Sequence, residues 1–165
     1  MDPSDPSIEP AAVRAALGRF TTGVTIITCR DAQGERVGLT ANSFNSLSLD
    51  PPLVLWSLRE TSASLGAFRA ATHFVVNVLS ESQVDLSRRF ASPQAQKFAA
   101  GSWSDGLGGA PVLHGCAAVL QCERFAEHVA GDHVLFIGQV RRLFEAPLPP
   151  LVYRSGHYHL LGEIV

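Results

Sequence analysis

The segment Thr40-Ala41-Asn42-Ser43-Phe44-Asn45-Ser46 gathers five hydroxyl or amide side chains beside an aromatic ring at the end of an apolar run, just before the break at Asp50-Pro51-Pro52. Such a hydrogen-bonding rim suits a planar ring with alternating donors and acceptors along one edge and apolar atoms along the other, as in a flavin. A polar loop that satisfies its own backbone has the same composition. Ser57, Thr61, Ser62 and Ser64 surround the start of a short helical pattern, where hydroxyls and outward-pointing backbone amides can converge on phosphate oxygens. Arg88, Arg89 and Lys97 can add charge to such a site, arginine in bidentate form, although a charged pair on a helix is also what a solvated face looks like. Gly131-Asp132-His133 sets an imidazole at the start of a strong strand with a carboxylate able to influence its tautomer or charge. A lone strand-end histidine also occurs for structural reasons alone.

Other chemistries lack their residues. His157 and His159 face one side of a strand, but no third or fourth ligand stands at metal-site spacing, and Cys116, Cys122, His128 and His133 form no zinc pattern. No metal is expected. Gly106-Leu107-Gly108-Gly109 comes nearest to a dinucleotide fingerprint, yet Pro111 follows at once and no amphipathic helix starts there. Neither a nucleophile elbow, a P-loop nor an HExxH motif is present.

The elements that position these residues are short. Ala12, Val13, Ala16, Leu17 and Phe20 have helical spacing over Glu9 to Phe20, with Pro10 in the first turn. The β-branched run Val24 to Thr28, a turn at Asp31 to Gly34 and a strand from Arg36 to about Asn42 read as a hairpin. Further strands are expected over Leu53 to Leu58, His73 to Leu79, Cys116 to Arg124, His133 to Phe144 and Tyr158 to Ile164. A short helix is expected over Ser62 to Ala70, two helical pieces split by Pro93 over Gln83 to Phe98, and a glycine-rich loop over Gly101 to Gly109. Many strands, two or three short helices and no βαβ alternation argue for a mainly β fold, a closed or nearly closed antiparallel barrel with helical plugs.

The chain has 165 residues, enough for one domain but short for separate flavin and nicotinamide domains. Residues 1–10, rich in proline and acid, read as a flexible arm and 11–165 as a single domain. A formal net charge of −2 argues against a nucleic-acid or membrane-surface partner, so any anion site must be local. The arm has no signal-peptide pattern, and the apolar runs are far too short to cross a bilayer of about 30 Å as helices. An odd count of 3 cysteines without framework spacing fits buried free thiols in a reducing, cytoplasmic compartment.

In their order, these segments resemble the short-chain flavin reductase family. The likeness is carried by Leu17-Gly18-Arg19-Phe20 with Thr22-Gly23-Val24, Gly38 to Phe44, Ser48 to Val54, Phe74 to Leu79, Arg89-Phe90, Lys97-Phe98, and Gly131-Asp132-His133 with Gly138. The resemblance implies a homodimer of antiparallel, Greek-key-like FMN-binding split barrels. It implies that Thr40, Ala41, Asn42, Ser43 and Ser46 lie along the isoalloxazine. Ser57, Ser62 and Ser64, with Arg88, Arg89 and Lys97, fall near the ribityl-phosphate, and His133 with Asp132 on the nicotinamide side. The implied activity is hydride transfer from NADH or NADPH to FMN or FAD without a covalent enzyme intermediate, the reduced flavin diffusing to a partner monooxygenase. The same barrel also serves proteins that hold FMN tightly for another substrate, and non-catalytic flavin- or haem-binding modules.

Overall fold

The computed structural model describes residues 8–164, so the arm expected over residues 1–10 lies mostly outside the described residues. The chain runs through α1 (Pro10–Leu17), β1 (Thr22–Gly23), β2 (Thr25–Arg30), β3 (Arg36–Ala41), β4 (Asn45–Leu49), β5 (Pro52–Arg59), α2 (Leu65–Ala70) and β6 (His73–Val78). There follow α3 (Val84–Ala91), β7 (Trp103–Asp105), β8 (Pro111–Leu113), β9 (Ala118–Ala130), β10 (His133–Glu145), β11 (Val152–Arg154) and β12 (His157–His159). The fold is mainly β and antiparallel, as the strand pattern predicts.

Seven strands form one sheet in the order β3-β2-β6-β9-β10-β5-β4, which puts β3 and β4, consecutive in the chain, at opposite edges. Only residues 42–44 join them. Four peptide steps reach at most about 14 Å, whereas seven flat strands would hold their edges about 29 Å apart. The sheet must therefore roll until its edges nearly meet, which produces a barrel with a slit. Bulges that leave Phe125, Arg141 and Leu47 without a ladder partner add to the bend.

Inside the roll, Trp56 stacks on Phe136 with ring centroids 4.9 Å apart and meets Phe68 of α2 edge-on at 4.8 Å. α2 thus plugs the barrel through its two buried residues, Leu65 and Phe68. A second cluster lies outside the roll, where Ile26, Val75 and Val119 pack against Phe90 of α3 and Leu113 of β8. β2 is buried on both faces in consequence, which its unbroken β-branched run anticipates.

Five elements differ from the sequence expectation. Asn45–Leu49, read as a polar interruption, is the edge strand β4; four of its five residues are exposed, so no apolar alternation betrays a ladder made by backbone groups. The strand expected over Tyr158 to Ile164 is only His157–His159, because its partner β11 is three residues long. Within the glycine-rich loop, Trp103–Asp105 pairs with β8. Beyond Pro93 the second helical piece is a single turn at Lys97–Ala99, and β9 runs on to Ala130 because β10 pairs with it throughout.

Gly138 faces the barrel interior, where an added Cβ would collide with the Phe74 ring and sit 2.8 Å from Cys122 Cβ. Gly138→Ala is expected to destabilise the fold by about 1–3 kcal/mol, the usual cost of overpacking a tight core. Urea unfolding should show a lower midpoint at constant slope; an unchanged midpoint would mean the aromatic cluster has room to yield.

Candidate functional site

The link that closes the roll is also where the polar rim lies. The Ser43 hydroxyl donates to Ser57 O at 2.9 Å and accepts from Ser57 N–H at 3.1 Å. It thereby continues the β4–β5 register, in which Asn45 opposes Leu55, by one more pair. The Thr40 hydroxyl donates to Ser87 O of α3 at 2.6 Å, tying the β3 edge to the helix rather than facing the rim. Asn42 is exposed and lines two cavities, and the Ser46 N–H donates to Asn45 Oδ1 at 2.9 Å. Because β3 is an edge strand, backbone donors and acceptors along its free side face the slit, whereas Ala41 O accepts from the Thr25 hydroxyl at 2.7 Å.

At the far end of β3, Arg36, Ser64 and Lys97 line one cavity of about 170 Å³. Lys97 donates to Phe90 O at 3.0 Å, which leaves two of its ammonium hydrogens free. Burial lowers its pKa below the usual lysine value. The Ser62 hydroxyl accepts from Ser64 N–H at 3.3 Å, which shapes the turn into α2. From Val37 to Asn42 the strand spans about 16 Å, long enough for a ring with a phosphorylated tail laid along the slit. Arg88 and Arg89 are not brought to this cavity. Arg88 pairs with Asp85 at 3.1 Å and sits over the Tyr158 ring, Arg89 donates to Gln96 O at 3.2 Å, and both line a separate cavity on α3. Sequence reasoning missed Arg36; the signal was its place at the head of the strand that carries Thr40 and Ala41 at its other end.

His133 opens β10 opposite Arg59 of β5, and Ser57 opposes Leu135. Two residues along β5 and one strand spacing put the His133 backbone about 8 Å from that of Ser57. His133 Nδ1 lies 2.7 Å from Asp132 Oδ1, and since a carboxylate only accepts, Nδ1 carries the proton and Nε2 is left for another partner. The hydrogen bond and the charge of His133 hold the Asp132 pKa below its ordinary value, with a smaller contribution from Arg59.

On β5 and β10 the inward residues Val54, Trp56, Leu58, Val134 and Phe136 are buried. The outward row of Leu53, Leu55, Ser57, His133, Leu135 and Ile137 is half-buried and mostly apolar. Next to it, Asn42 and Ser43 also line a larger cavity of about 930 Å³ shared with α1 and β11. The Thr22 hydroxyl on its wall is buried without a hydrogen-bond partner. The three cysteines, Cys29, Cys116 and Cys122, are free and buried, and burial pushes each thiol up to about 12.

Residues 17–162 match the family model described as flavin reductase like domain. The chain belongs to this family. The reductase subunit Stc3 of a stachydrine N-demethylase from Rhizobium meliloti is 43% identical over 150 residues, covering 91% of this chain and 65% of that protein. The FMN reductase (NADH) SmoA of Agrobacterium fabrum is 44% identical over 145 residues, covering 88% and 82% respectively. The NADH:FAD oxidoreductase SgcE6 of Streptomyces globisporus, solved with NAD and FAD fragments, superposes with a TM-score of 0.89 at 32% identity over 96% of this chain and 95% of that one. The chain spans about half (51%) of a further Rhizobium meliloti relative, 44% identical over 160 residues. A phosphorylated flavin, the group this family implies, fits the donors present: free backbone groups along β3, amide and hydroxyl side chains at Asn42 and Ser43, and cations with a hydroxyl at Lys97, Arg36 and Ser64.

A carboxyl whose pKa is lowered by folding adds stability above its unfolded pKa and loses it as pH falls through the folded value. The Asp132 carboxyl carbon should therefore titrate below the ordinary aspartate range by NMR and move back toward it in His133→Ala. An identical titration in both proteins would show that the contact carries no charge.

Proposed function

We propose that the chain is a flavin reductase that uses NADH or NADPH to reduce FMN or FAD held along the slit of the barrel. The observation that carries this reading is the slit itself, with the Ser43–Ser57 closure at one end and the cavity of Lys97, Ser64 and Arg36 at the other. A bound flavin would supply a two-electron acceptor for hydride from the nicotinamide. The protein positions the rings and excludes other geometries.

In this reading Asn42, Ser46 and the backbone of Ala41 to Ser43 hold the polar edge of the ring. Ser62 and Ser64, with Lys97, hold the phosphate, and Arg36, which is paired with Asp105 at 3.3 Å, adds charge beside it. Ser57 and Thr40 keep the walls in place through their bonds to Ser43 and to α3. His133, fixed by Asp132 through Nδ1, turns Nε2 toward the nicotinamide carboxamide and balances charge as electrons arrive, with no obligatory proton abstraction. Arg88 and Arg89, engaged on α3, leave the phosphate to Lys97.

The outward apolar row of β5 and β10 supports a homodimer, since the half-exposed Leu53, Leu55, Leu135 and Ile137 form one row that a second copy can take out of water together. Ser57 and His133 share that row, so the dimer would border the flavin. Reduced flavin would then diffuse to a partner monooxygenase, as the name of HsaB of Mycobacterium tuberculosis, a flavin-dependent monooxygenase reductase subunit 40% identical over 154 residues, supports. Three free buried thiols support a reducing, cytoplasmic setting.

Anaerobic stopped-flow mixing with FMN or FAD and either NADH or NADPH should bleach the oxidised-flavin band through many turnovers when free flavin is in excess. Flavin that binds but stays oxidised would replace this reading with a tight-FMN protein or a binding module. His133→Ala should lower kcat/KM for the nicotinamide donor about tenfold, equivalent to ~1.4 kcal/mol, while FMN affinity holds; equal loss of both would contradict the assignment. Leu135→Asp should convert the dimer to monomers in sedimentation velocity, and a monomeric unsubstituted protein would dismiss the interface.

A further inference from the structure

The apolar face expected of the first helix has no core to meet: no residue of α1 is buried, and Leu17 is 67% exposed. The helix is instead pinned at its C-terminal end. Ser155, in the turn between β11 and β12, donates both its backbone N–H (3.0 Å) and its hydroxyl (2.9 Å) to Gly18 O. Ser155 is the one non-glycine residue among those described with positive φ, at 48°. A left-handed conformation costs an L-residue roughly 1–2 kcal/mol, and the two bonds to Gly18 over-determine it. Gly18 is closely approached in turn, since an added Cβ would lie 3.2 Å from Arg14 O and 3.5 Å from Ser155 Cα.

The clamp brings three arginines from separate stretches of chain to one cavity: Arg14 from the last turn of α1, Arg19 from just beyond it, and Arg154 from the end of β11. Among the described residues, no aspartate or glutamate lines this cavity of about 930 Å³. Among the described residues, none of the three arginines makes an ion pair. In a chain of net charge −2, uncompensated cations held together favour a compact polyanion, and arginine favours phosphate oxygens. The buried, unpartnered Thr22 hydroxyl lies on the same wall, and Asn42 and Ser43 join the cavity to the slit.

We propose that this cavity is a diphosphate site, in which Arg14, Arg19 and Arg154 take the pyrophosphate bridge of a dinucleotide whose reacting ring lies at Asn42–Ser43. The inference rests on the flavin reductase reading and adds its dinucleotide specificity. FMN, which has a single phosphate, does not need this cavity; FAD and the pyridine nucleotide both carry the bridge.

The test is calorimetric binding of ADP-ribose, which has the diphosphate and neither reacting ring, beside FMN and FAD binding and NADH steady-state kinetics with FMN as acceptor. The unsubstituted protein should bind ADP-ribose with an affinity that falls as salt rises. Arg14→Ala/Arg154→Ala should weaken that binding at least tenfold, leave FMN affinity and the melting temperature in place, and be partly rescued by Arg14→Lys/Arg154→Lys. A rise in the NADH KM alone identifies the donor as the occupant, and a loss of FAD affinity alone identifies the flavin; either supports the site. No ADP-ribose binding by the unsubstituted protein, or a parallel loss of FMN affinity in the variant, overturns it. The reductase reading fails separately, if flavin and NADH are bound and no electrons pass.

Discussion

Three residues, Asn42 to Phe44, join the two edges of the seven-stranded sheet, and most of what is distinctive in the molecule follows from how short that link is. It forces the sheet to roll, it sets the width of the slit, and it brings the β3 edge beside the β4–β5 hairpin. Ser43 adds two hydrogen bonds to the Ser57 backbone, worth about 1 kcal/mol each, a small sum against a whole core. Their effect is on position rather than on total stability, because they fix the link against β5 in the register that β4 already uses. A polar link is required here, since an apolar one would leave the Ser57 N–H and C=O without partners at the closing point.

Rolling the sheet divides β5 and β10 into two working faces. The inner face supplies Trp56 and Phe136, which pack around Phe68 of α2. The outer face repeats a half-buried apolar pattern, and the polar residues Ser57 and His133 stand in that row. A period of two permits this arrangement: one register satisfies the core and, one residue out of phase, presents the chemistry. The slit, the apolar row and the Asp132–His133 pair are therefore neighbours by construction.

Much of this was legible in the sequence, and the parts that were not have specific reasons. β2 and β6 announce themselves because strands buried on both faces read as unbroken β-branched runs. The rim at Thr40 to Ser46 was visible as composition, but its division of labour was not: Thr40 serves α3, Ser43 serves Ser57, and only Asn42 among these side chains lines both cavities. β4 stayed hidden because an exposed edge strand is specified by backbone pairing and not by side-chain alternation. Arg88 and Arg89 looked like Lys97 in sequence; their partners Asp85 and Gln96 lie within seven residues, yet only the folded α3 shows that those contacts draw them away. The helix α1 was read correctly as amphipathic, whereas nothing in its spacing says that its apolar side would find no core in this chain.

The distribution of charge carries the argument further. Arg30 and Arg36 share Asp105, Arg69 and Arg124 share Glu127, and Arg141 pairs with Glu123, so three acids hold five arginines on the surface. Among the described cations that make no ion pair, Lys97 lines the slit cavity and Arg14, Arg19 and Arg154 line the α1 cavity. At physiological ionic strength charge is screened beyond about 8 Å, so these cations act inside their own cavities and cast little field beyond them. In a chain of net charge −2 these cations are local features and not parts of a broad basic field. Such short-range holding suits a ligand that must leave after the reaction: contacts confined to one cavity are lost together, and nothing on the surrounding surface delays the departing anion.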